Sequence, residues 1–268
     1  MVRLQKRKRQ TAGRGLDLTE NGKERTKMSK LFFITGTMGA AKSTNLIAKD
    51  YNYRENGKKT IILKPTTDTR NGTYKHGEMG KTYSRPMKEG ADCLFLDVGR
   101  FNEVGYDRIK DKDIVFVDEA QFLSKADVDF LSSIPDELDI PVLAYGLKTT
   151  AEGELFEGSA HLLAMADEIE IMISVCSFCG RRASHHVRIS GGEYLTGNAG
   201  VEGNGVEYKA CCRRCFKAFR EMQKAENGFY RVVSEKGIIL SVFDRRQDAE
   251  DYIKHGNLRD CKIVESKG

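Results

Sequence analysis

The sequence predicts an α/β fold: a mostly parallel sheet with a phosphate-binding loop, then a small metal-binding domain and a C-terminal ββαβ extension. Three observations support this fold class. Short apolar runs alternate with segments long enough for helices, as they do in βαβ units. The first of these runs enters a glycine-containing loop that ends in Lys-Ser-Thr. Two Cys-x-x-Cys pairs follow far downstream.

Residues 31–44, LFFITGTMGAAKST, predict a strand, a P-loop and the start of a helix. In a P-loop, backbone N–H groups and the helix N-terminus surround phosphate oxygens, the lysine reaches the β and γ phosphates, and the serine ligates Mg²⁺. Ala41 stands where this pattern has a glycine. A strand–turn–helix with a chance Lys-Ser pair is the alternative. The predicted nucleotide-binding residues are Gly36, Thr37, Met38, Gly39, Ala40, Ala41, Lys42, Ser43 and Thr44.

The next elements keep the alternating pattern. Residues 44–56 predict a helix that Gly57 ends, and residues 123–133 predict a helix that Pro135 follows. One strand leads into Asp118-Glu119, the Walker B arrangement, in which Asp118 holds Mg²⁺ opposite the P-loop serine and the second carboxylate is a candidate base. The motif gains weight from the upstream P-loop, because an apolar strand followed by two carboxylates is common. Apolar runs predict strands at residues 60–63, 93–96, 114–117 and 142–145.

The two Cys-x-x-Cys pairs predict one structural Zn²⁺ site, with 32 residues between the pairs. Four small buried thiols are the alternative. Cys211 could substitute for its neighbour, but only Cys212 has the spacing to Cys215. The glycine-rich residues 191–208 are too long for a tight hairpin and predict a functional loop. The predicted ligands are Cys176, Cys179, Cys212 and Cys215.

The net charge of +5 is unevenly distributed. Residues 1–30 hold ten Lys or Arg against three Asp or Glu, which leaves −2 on residues 31–268 and argues against a nucleic-acid-binding body. Residues 1–28 predict a disordered basic tail, with Met28 as an alternative start. The chain shows no apolar run long enough to span a membrane and no secretory signal, so the sequence predicts a cytoplasmic location and no membrane partner.

The chain divides by composition into four predicted parts. The tail is followed by a nucleotide-binding domain (29–170), a zinc-binding domain (171–225) and a small appended module (226–268). In the module, apolar runs around a Lys-Gly turn predict a hairpin, and Asp244 predicts the start of a helix through about His255. A last strand is predicted at residues 261–264, which completes a ββαβ unit.

Taken together, these motifs resemble the thymidine kinase family, which has a RecA-like P-loop core and a zinc-bound lasso domain. The resemblance covers roughly residues 29–220 and rests on several motifs in the family's order. Besides the cysteine pairs they are GTMGAAKST at 36–44, TDTR at 67–70, DEAQF at 118–122, YGL at 145–147, GELFEGS at 153–159 and EGNGVEY at 202–208.

The resemblance implies transfer of the γ-phosphoryl of ATP to the 5′-hydroxyl of thymidine, with Mg²⁺, by a protein that commonly forms homotetramers. It implies that Lys42 holds the phosphates, that Glu119 accepts the hydroxyl proton and that Arg70 lies near that carboxylate and the transferring phosphate. The lasso, residues 203–208, would contact the base through backbone groups. The residues that the resemblance assigns to the substrate are Met38, Asp68, Phe122, Leu147, Phe156, Gly203 and Tyr208.

Three departures from the family pattern leave other functions open. Ala41 replaces a glycine, Ala151-Glu152 stands where the family commonly has an aromatic followed by Arg or Gln, and His186 replaces a small polar residue. They motivate an alternative, a nucleotide-binding protein that has lost activity and serves as a regulatory or scaffold partner. A weaker alternative is a zinc-ribbon nucleic-acid ATPase that uses the basic tail.

Overall fold

The computed structural model describes residues 29–70, 72–84, 86–190, 193–195, 206–224, 229–235, 239–243, 245–256, 258 and 260–266. The predicted basic tail and Gly203 lie outside these ranges. Among the described residues, no helix combines the length and apolar character needed to cross a membrane.

A central seven-stranded sheet has the order β3-β4-β2-β5-β6-β1-β7. Every neighbouring pair in it is parallel except β3–β4. This arrangement confirms the predicted α/β fold with a mostly parallel sheet. The strands are β1 (Leu31–Gly36), β2 (Thr60–Pro65), β3 (Met79–Ser84), β4 (Glu89–Leu96), β5 (Ile114–Val117), β6 (Val142–Leu147) and β7 (Glu168–Met172).

Helices cover both faces of this sheet, because the central strands are apolar along their whole length and need cover on each side. Helix α1 packs on one face, where Leu46 and Ile47 belong to the same apolar core as Phe116. On the other face α3 contributes Leu131 and Ile134 to a second core. The helices of this part are α1 (Lys42–Glu55), α2 (Tyr106–Ile109), α3 (Lys125–Leu138) and α4 (Glu157–Met165).

Pro135 does not lie beyond its helix, contrary to the predicted helix end at residue 133. It lies inside α3, which continues to Leu138 and ends where Asp139 adopts a left-handed conformation with φ 53°. An interior proline costs about 3 kcal/mol of helix propensity. Burial of the apolar face of α3 against the sheet and the capping box between Ser124 and Asp127 offset that cost.

Two strands of the sheet were not predicted. The β3 segment MGKTYS has no apolar run, and it forms because it pairs antiparallel with β4. The β7 segment EIEIM pairs with β1 at the opposite edge of the sheet. β7 ends at Met172, whereas the predicted domain boundary is residue 170.

Two small sheets follow the central one. The first has the order β10-β8-β9 and packs against α5 (Arg213–Lys224). The second has the order β12-β11-β13 and packs against α6 (Arg246–His255), in the ββαβ order that the sequence predicts. The strands of these sheets are β8 (His185–Ser190), β9 (Glu193–Leu195), β10 (Val206–Cys211), β11 (Phe229–Ser234), β12 (Ile239–Phe243) and β13 (Cys261–Ser266).

Candidate active site

A cleft of about 330 Å³ opens where β1, β2 and β5 end at the same edge of the central sheet. Ligands of open α/β sheets bind at this edge, outside the carboxyl ends of the strands. The lining brings together the P-loop, the carboxylates that follow β5, and residues of the β3–β4 hairpin. Its residues are Met38, Gly39, Ala41, Lys42, Ser43, Thr44, Lys64, Arg70, Tyr83, Pro86, Asp118, Glu119 and Leu147.

The loop between β1 and α1 has the backbone geometry of a tight, glycine-dependent turn. Gly39 has φ 78°, and Ala41, immediately before α1, has φ 61° in the left-handed region. A Cβ on Gly36 would lie 2.9 Å from the Cβ of Ala40 and 3.0 Å from the carbonyl oxygen of Met172. Gly36 therefore lets the loop pack against β7, whereas Ala41 holds a conformation that favours glycine.

The Lys42 ammonium folds back over this loop. Its Nζ donates to the carbonyl oxygen of Thr37 at 3.0 Å and lies 3.5 Å from that of Gly36. These are neutral acceptors, so the positive charge is available to an anion. Burial lowers the pKa of Lys42 from 10.5 to about 8, and Glu119 and Asp118 oppose that shift.

Ser43 and Asp118 face each other across the cleft. Ser43 Oγ donates to Asp118 Oδ1 at 3.2 Å, and Thr82 donates to the other carboxylate oxygen. Burial and the neighbouring Glu119 raise the pKa of the Asp118 carboxyl. A hydroxyl and a carboxylate oxygen at this separation are ligands of the kind that Mg²⁺ prefers, so this pair fits a cation.

Arg70 forms ion pairs with two carboxylates of the predicted site, those of Asp68 and Glu119. Its guanidinium contacts Asp68 at 2.5 Å and forms a shorter ion pair with Glu119. Burial alone would raise the pKa of Glu119, but Arg70 outweighs it and lowers that pKa. Burial would also raise the pKa of Asp68, but Arg70 and Lys64 outweigh it and lower that pKa to about 2. Both carboxylates are therefore ionised near neutral pH.

Gln121 and Lys64 belong to the site but were not predicted. Gln121 Nε2 donates to Glu119 Oε2 at 2.6 Å, and its Oε1 accepts from the backbone N–H of Leu147 at 2.9 Å. Lys64 is buried and lies 2.8 Å from Asp68 and 3.9 Å from Asp118. The sequence signal for Lys64 is a lysine inside the apolar run TIILKP. Gln121 lies inside the DEAQF motif, but no role was predicted for it.

The predicted substrate residues fall into three groups. Met38 and Leu147 line the cleft, and Asp68 lies behind it as the partner of Arg70. Phe122 and Phe156 form an edge-to-face ring pair with centroids 5.9 Å apart. Tyr208 lies on β10, 5.9 Å from the ring of His186. Gly203 is outside the described residues. The other six predicted substrate residues lie in these three separate groups.

The departures at Glu152 and His186 have structural partners. Glu152 Oε1 lies 2.7 Å from Nη2 of the buried Arg188, an ion pair that links the loop after β6 to β8. His186 is also buried on β8, and burial, together with the nearby Lys42 charge, lowers its pKa to about 4. The imidazole is therefore neutral at physiological pH.

Four cysteines form the predicted metal cluster. The sulfurs of Cys176, Cys179, Cys212 and Cys215 all lie within 4.8 Å of one another. The Sγ atoms of Cys179 and Cys212 are 3.5 Å apart, close to the roughly 3.8 Å that a tetrahedral Zn²⁺ with Zn–S bonds of about 2.3 Å requires. Cys211 is buried beside the cluster but is not part of it, as the spacing argument predicts.

Comparisons with known proteins agree with this geometry. The family model described as thymidine kinase matches residues 29–216. A thymidine kinase from Rhodopirellula baltica is 44% identical over 192 residues, which is 71% of this chain and 89% of the relative. Another from Haemophilus influenzae is 40% identical over 194 residues, 71% of this chain and 97% of the relative. This chain belongs to the thymidine kinase family.

Proposed function

We propose that this chain transfers the γ-phosphoryl group of ATP to the 5′-hydroxyl of thymidine, giving thymidine monophosphate and ADP. The observation that carries the proposal is the convergence in one cleft of a P-loop lysine, a Ser43–Asp118 pair and the Arg70–Glu119 ion pair. Phosphoryl transfer requires mainly positioning and charge neutralisation, which these groups can supply.

In the proposed reaction a bond forms between the thymidine 5′-oxygen and the γ-phosphorus, while the bond to the β,γ-bridging oxygen breaks. Lys42 and the P-loop amides hold the phosphates, and Arg70 offsets charge near the transferring group. Glu119 accepts the hydroxyl proton. Gln121 holds that carboxylate in position through its 2.6 Å hydrogen bond.

Ser43 and Asp118 would hold Mg²⁺, which would supply positive charge that offsets the charge of the phosphates. The four cysteines would hold a structural Zn²⁺ at the base of the lasso. Met38, Leu147, Phe122, Phe156, Gly203 and Tyr208 are the proposed contacts of the thymine base. The proposed domains are residues 29–170 for phosphate and nucleoside, 171–225 for zinc and lasso, and 226–268 for the appended module.

We also propose a homotetramer, as the family resemblance implies. β7 is an edge strand, and an apolar stripe on and just after it is exposed, with Ile171 at 57%, Ile173 at 67% and Val175 at 66%. A second copy that covered this stripe would remove apolar surface from water. Multi-angle light scattering of the full chain tests the stoichiometry, and a monodisperse monomer would contradict it.

Initial rates with a nucleoside panel test the proposed function. With γ-labelled ATP and Mg²⁺, we expect label transfer to thymidine, and slower transfer to deoxyuridine, because one methyl group in an apolar pocket contributes about 1–3 kcal/mol. Binding of thymidine without label transfer to any nucleoside would instead support the regulatory alternative. ATP hydrolysis that DNA stimulates would support the nucleic-acid ATPase.

The pH dependence should report the ionisation of Lys42. In the free protein the ammonium is protonated below about pH 8 and neutral above it, since burial lowers its pKa to about 8. We expect kcat/KM for ATP to be level below that pH and to fall by about tenfold per pH unit above it, because kcat/KM follows ionisation of the free enzyme. Lys42→Arg keeps its charge at alkaline pH and should abolish the fall. An identical alkaline fall in Lys42→Arg would assign it to another group.

Ala41→Gly should raise stability rather than nucleotide affinity. Ala41 has φ 61°, and we expect this left-handed conformation to cost free energy in both the free and the bound protein. Glycine removes about 1 kcal/mol of that cost, and the larger conformational entropy that glycine loses on folding offsets part of the gain. We expect a higher Tm and a KM for ATP within about twofold of the parent. A large fall in KM would show that the Cβ crowds the phosphates.

A further inference from the structure

A second cleft, of about 700 Å³, lies between the cysteine cluster and the C-terminal ββαβ module. One wall is formed by α5 and the two Cys-x-x-Cys turns, and the other by β12, α6 and the segment after it. None of its residues lines the active-site cleft. The lining residues are Cys179, Arg181, Arg213, Arg214, Cys215, Lys217, Ala218, Glu221, Leu240, Ser241, Val242, Tyr252 and Leu258.

The α5 wall of this cleft is strongly basic. It presents Arg181, Arg213, Arg214 and Lys217 against the single carboxylate of Glu221. Within the described part of the chain, no Asp or Glu oxygen lies within 4.0 Å of these four cations. Arg214 does donate to the carbonyl oxygen of Leu240 and to the hydroxyl of Tyr252, both at 3.0 Å, but these acceptors are neutral. Among the described residues, the four cations of the wall therefore have no carboxylate beside them in the cleft other than Glu221, and the cysteine cluster, whose thiolates would carry net negative charge with Zn²⁺, is the other anionic group beside the cleft.

The opposite wall is apolar and aromatic. Leu240, Val242 and Leu258 line it together with Tyr252, whose ring lies 5.3 Å from that of Phe243. A basic wall facing an apolar, aromatic wall suits a ligand with one polyanionic end and one flat, less polar end. A nucleoside triphosphate has this chemistry, and a cleft of about 700 Å³ is within the size range of small-molecule sites.

The apolar wall lies outside the part of the chain that the kinase family shares. The family match ends at residue 216. The 194 matched residues also account for 97% of the length of the thymidine kinase from Haemophilus influenzae. The cleft therefore forms only because the appended module packs against α5, through Val242 and through the two hydrogen bonds of Arg214.

We propose that this cleft is a second nucleoside triphosphate site, separate from the P-loop. The triphosphate lies along Arg181, Arg213 and Lys217, and the base lies against Tyr252 and Leu258. The site adjoins the lasso domain, because α5 packs directly against β8, the strand that carries His186 and Arg188. A ligand here is thus held one helix away from the strand that carries these two buried residues.

Isothermal titration of the full chain with a non-hydrolysable ATP analogue, and separately with thymidine triphosphate, tests the proposal. We expect two sites per chain for at least one of these probes in the parent and one site in Lys42→Ala, which disables the P-loop. The single site left in Lys42→Ala should weaken by about tenfold or more when Arg213→Gln and Lys217→Gln are added, since both remove charge-assisted contacts to phosphate. One site in the parent for both probes, or no effect of the added pair, would overturn the proposal.

Two further variants make the result specific. Arg245→Gln with Arg246→Gln removes two arginines of the same module that are already paired with Asp248 and Glu250, so both sites should remain. Glu221→Gln removes the carboxylate of the cleft and should tighten the second site several-fold, and weaker or unchanged binding counts against the proposal. In Lys42→Ala, displacement of the nucleotide by a short single-stranded oligodeoxynucleotide of higher affinity would also overturn it, in favour of a nucleic-acid site.

Discussion

Glu119→Gln is expected to lower kcat for thymidine phosphorylation by about 10²–10⁴-fold, the range that a general base contributes. Glutamine keeps the shape of the side chain and can still accept a hydrogen bond from Gln121, but it cannot take the 5′-hydroxyl proton. Arg70 keeps its contact with Asp68, so the cleft retains its cation. Steady-state rates with saturating ATP and thymidine measure the effect.

The KM for ATP distinguishes loss of the general base Glu119 from damage to the ATP-binding site. We expect it to change by less than about threefold in Glu119→Gln, because the phosphates are held by the P-loop and not by this carboxylate. Glu55→Gln, an exposed carboxylate at the end of α1, is the matched control and should leave kcat unchanged. If Glu119→Gln keeps more than about a tenth of the parent kcat, proton transfer to Glu119 is not needed for turnover.

Cys212→Ser is expected to release the metal and abolish thymidine phosphorylation together. Structural Zn²⁺ contributes about 10–16 kcal/mol in small zinc domains, so loss of one thiolate removes much of the free energy that folds the lasso domain. Tyr208 lies on β10, which ends at Cys211 beside the cluster, so the proposed base contact is lost with it. Metal content per chain and kcat/KM for thymidine measure the two effects.

Cys211→Ser is the matched control for the cysteine cluster. Cys211 is fully buried next to Cys212, but its sulfur is not among the four that converge. A buried hydroxyl costs about 1–3 kcal/mol without a partner, so we expect a lower Tm and an unchanged metal content. Full metal content in Cys212→Ser, or its loss in Cys211→Ser, would contradict the assignment of ligands.

The parts of the site that could be predicted are those whose residues are close in sequence. Gly36, Lys42 and Ser43 belong to one short sequence motif, and Asp118 and Glu119 directly follow one strand. Their spacing predicts a P-loop and a Walker B carboxylate, and the comparisons confirm the family that these motifs indicate. The cysteine pairs are equally local, and the structure brings all four sulfurs together.

The residues that sequence reasoning missed each have at least one partner far away in the chain. Lys64 is a site residue because Asp68 and Asp118 surround it, and Gln121 because it bridges Glu119 and the backbone of Leu147. The Glu152–Arg188 ion pair joins residues 36 positions apart. The predicted helix stops before Pro135 because proline disfavours a helix interior, but burial of α3 outweighs that preference. No periodicity or motif reports such pairings.

The sequence by itself predicted the α/β fold class, the P-loop motif and the four cysteines that converge, and it indicated the family, because each depends on short-range spacing or on apolar periodicity. Only the tertiary structure decided how charge is arranged in the cleft. Burial lowers the pKa of Lys42 to about 8, and Arg70 keeps Glu119 ionised although burial opposes it. It also decided that the ββαβ module packs against α5 and creates a second, basic cleft. Burial and long-range contacts set these properties, and neither is a property of any local stretch of sequence.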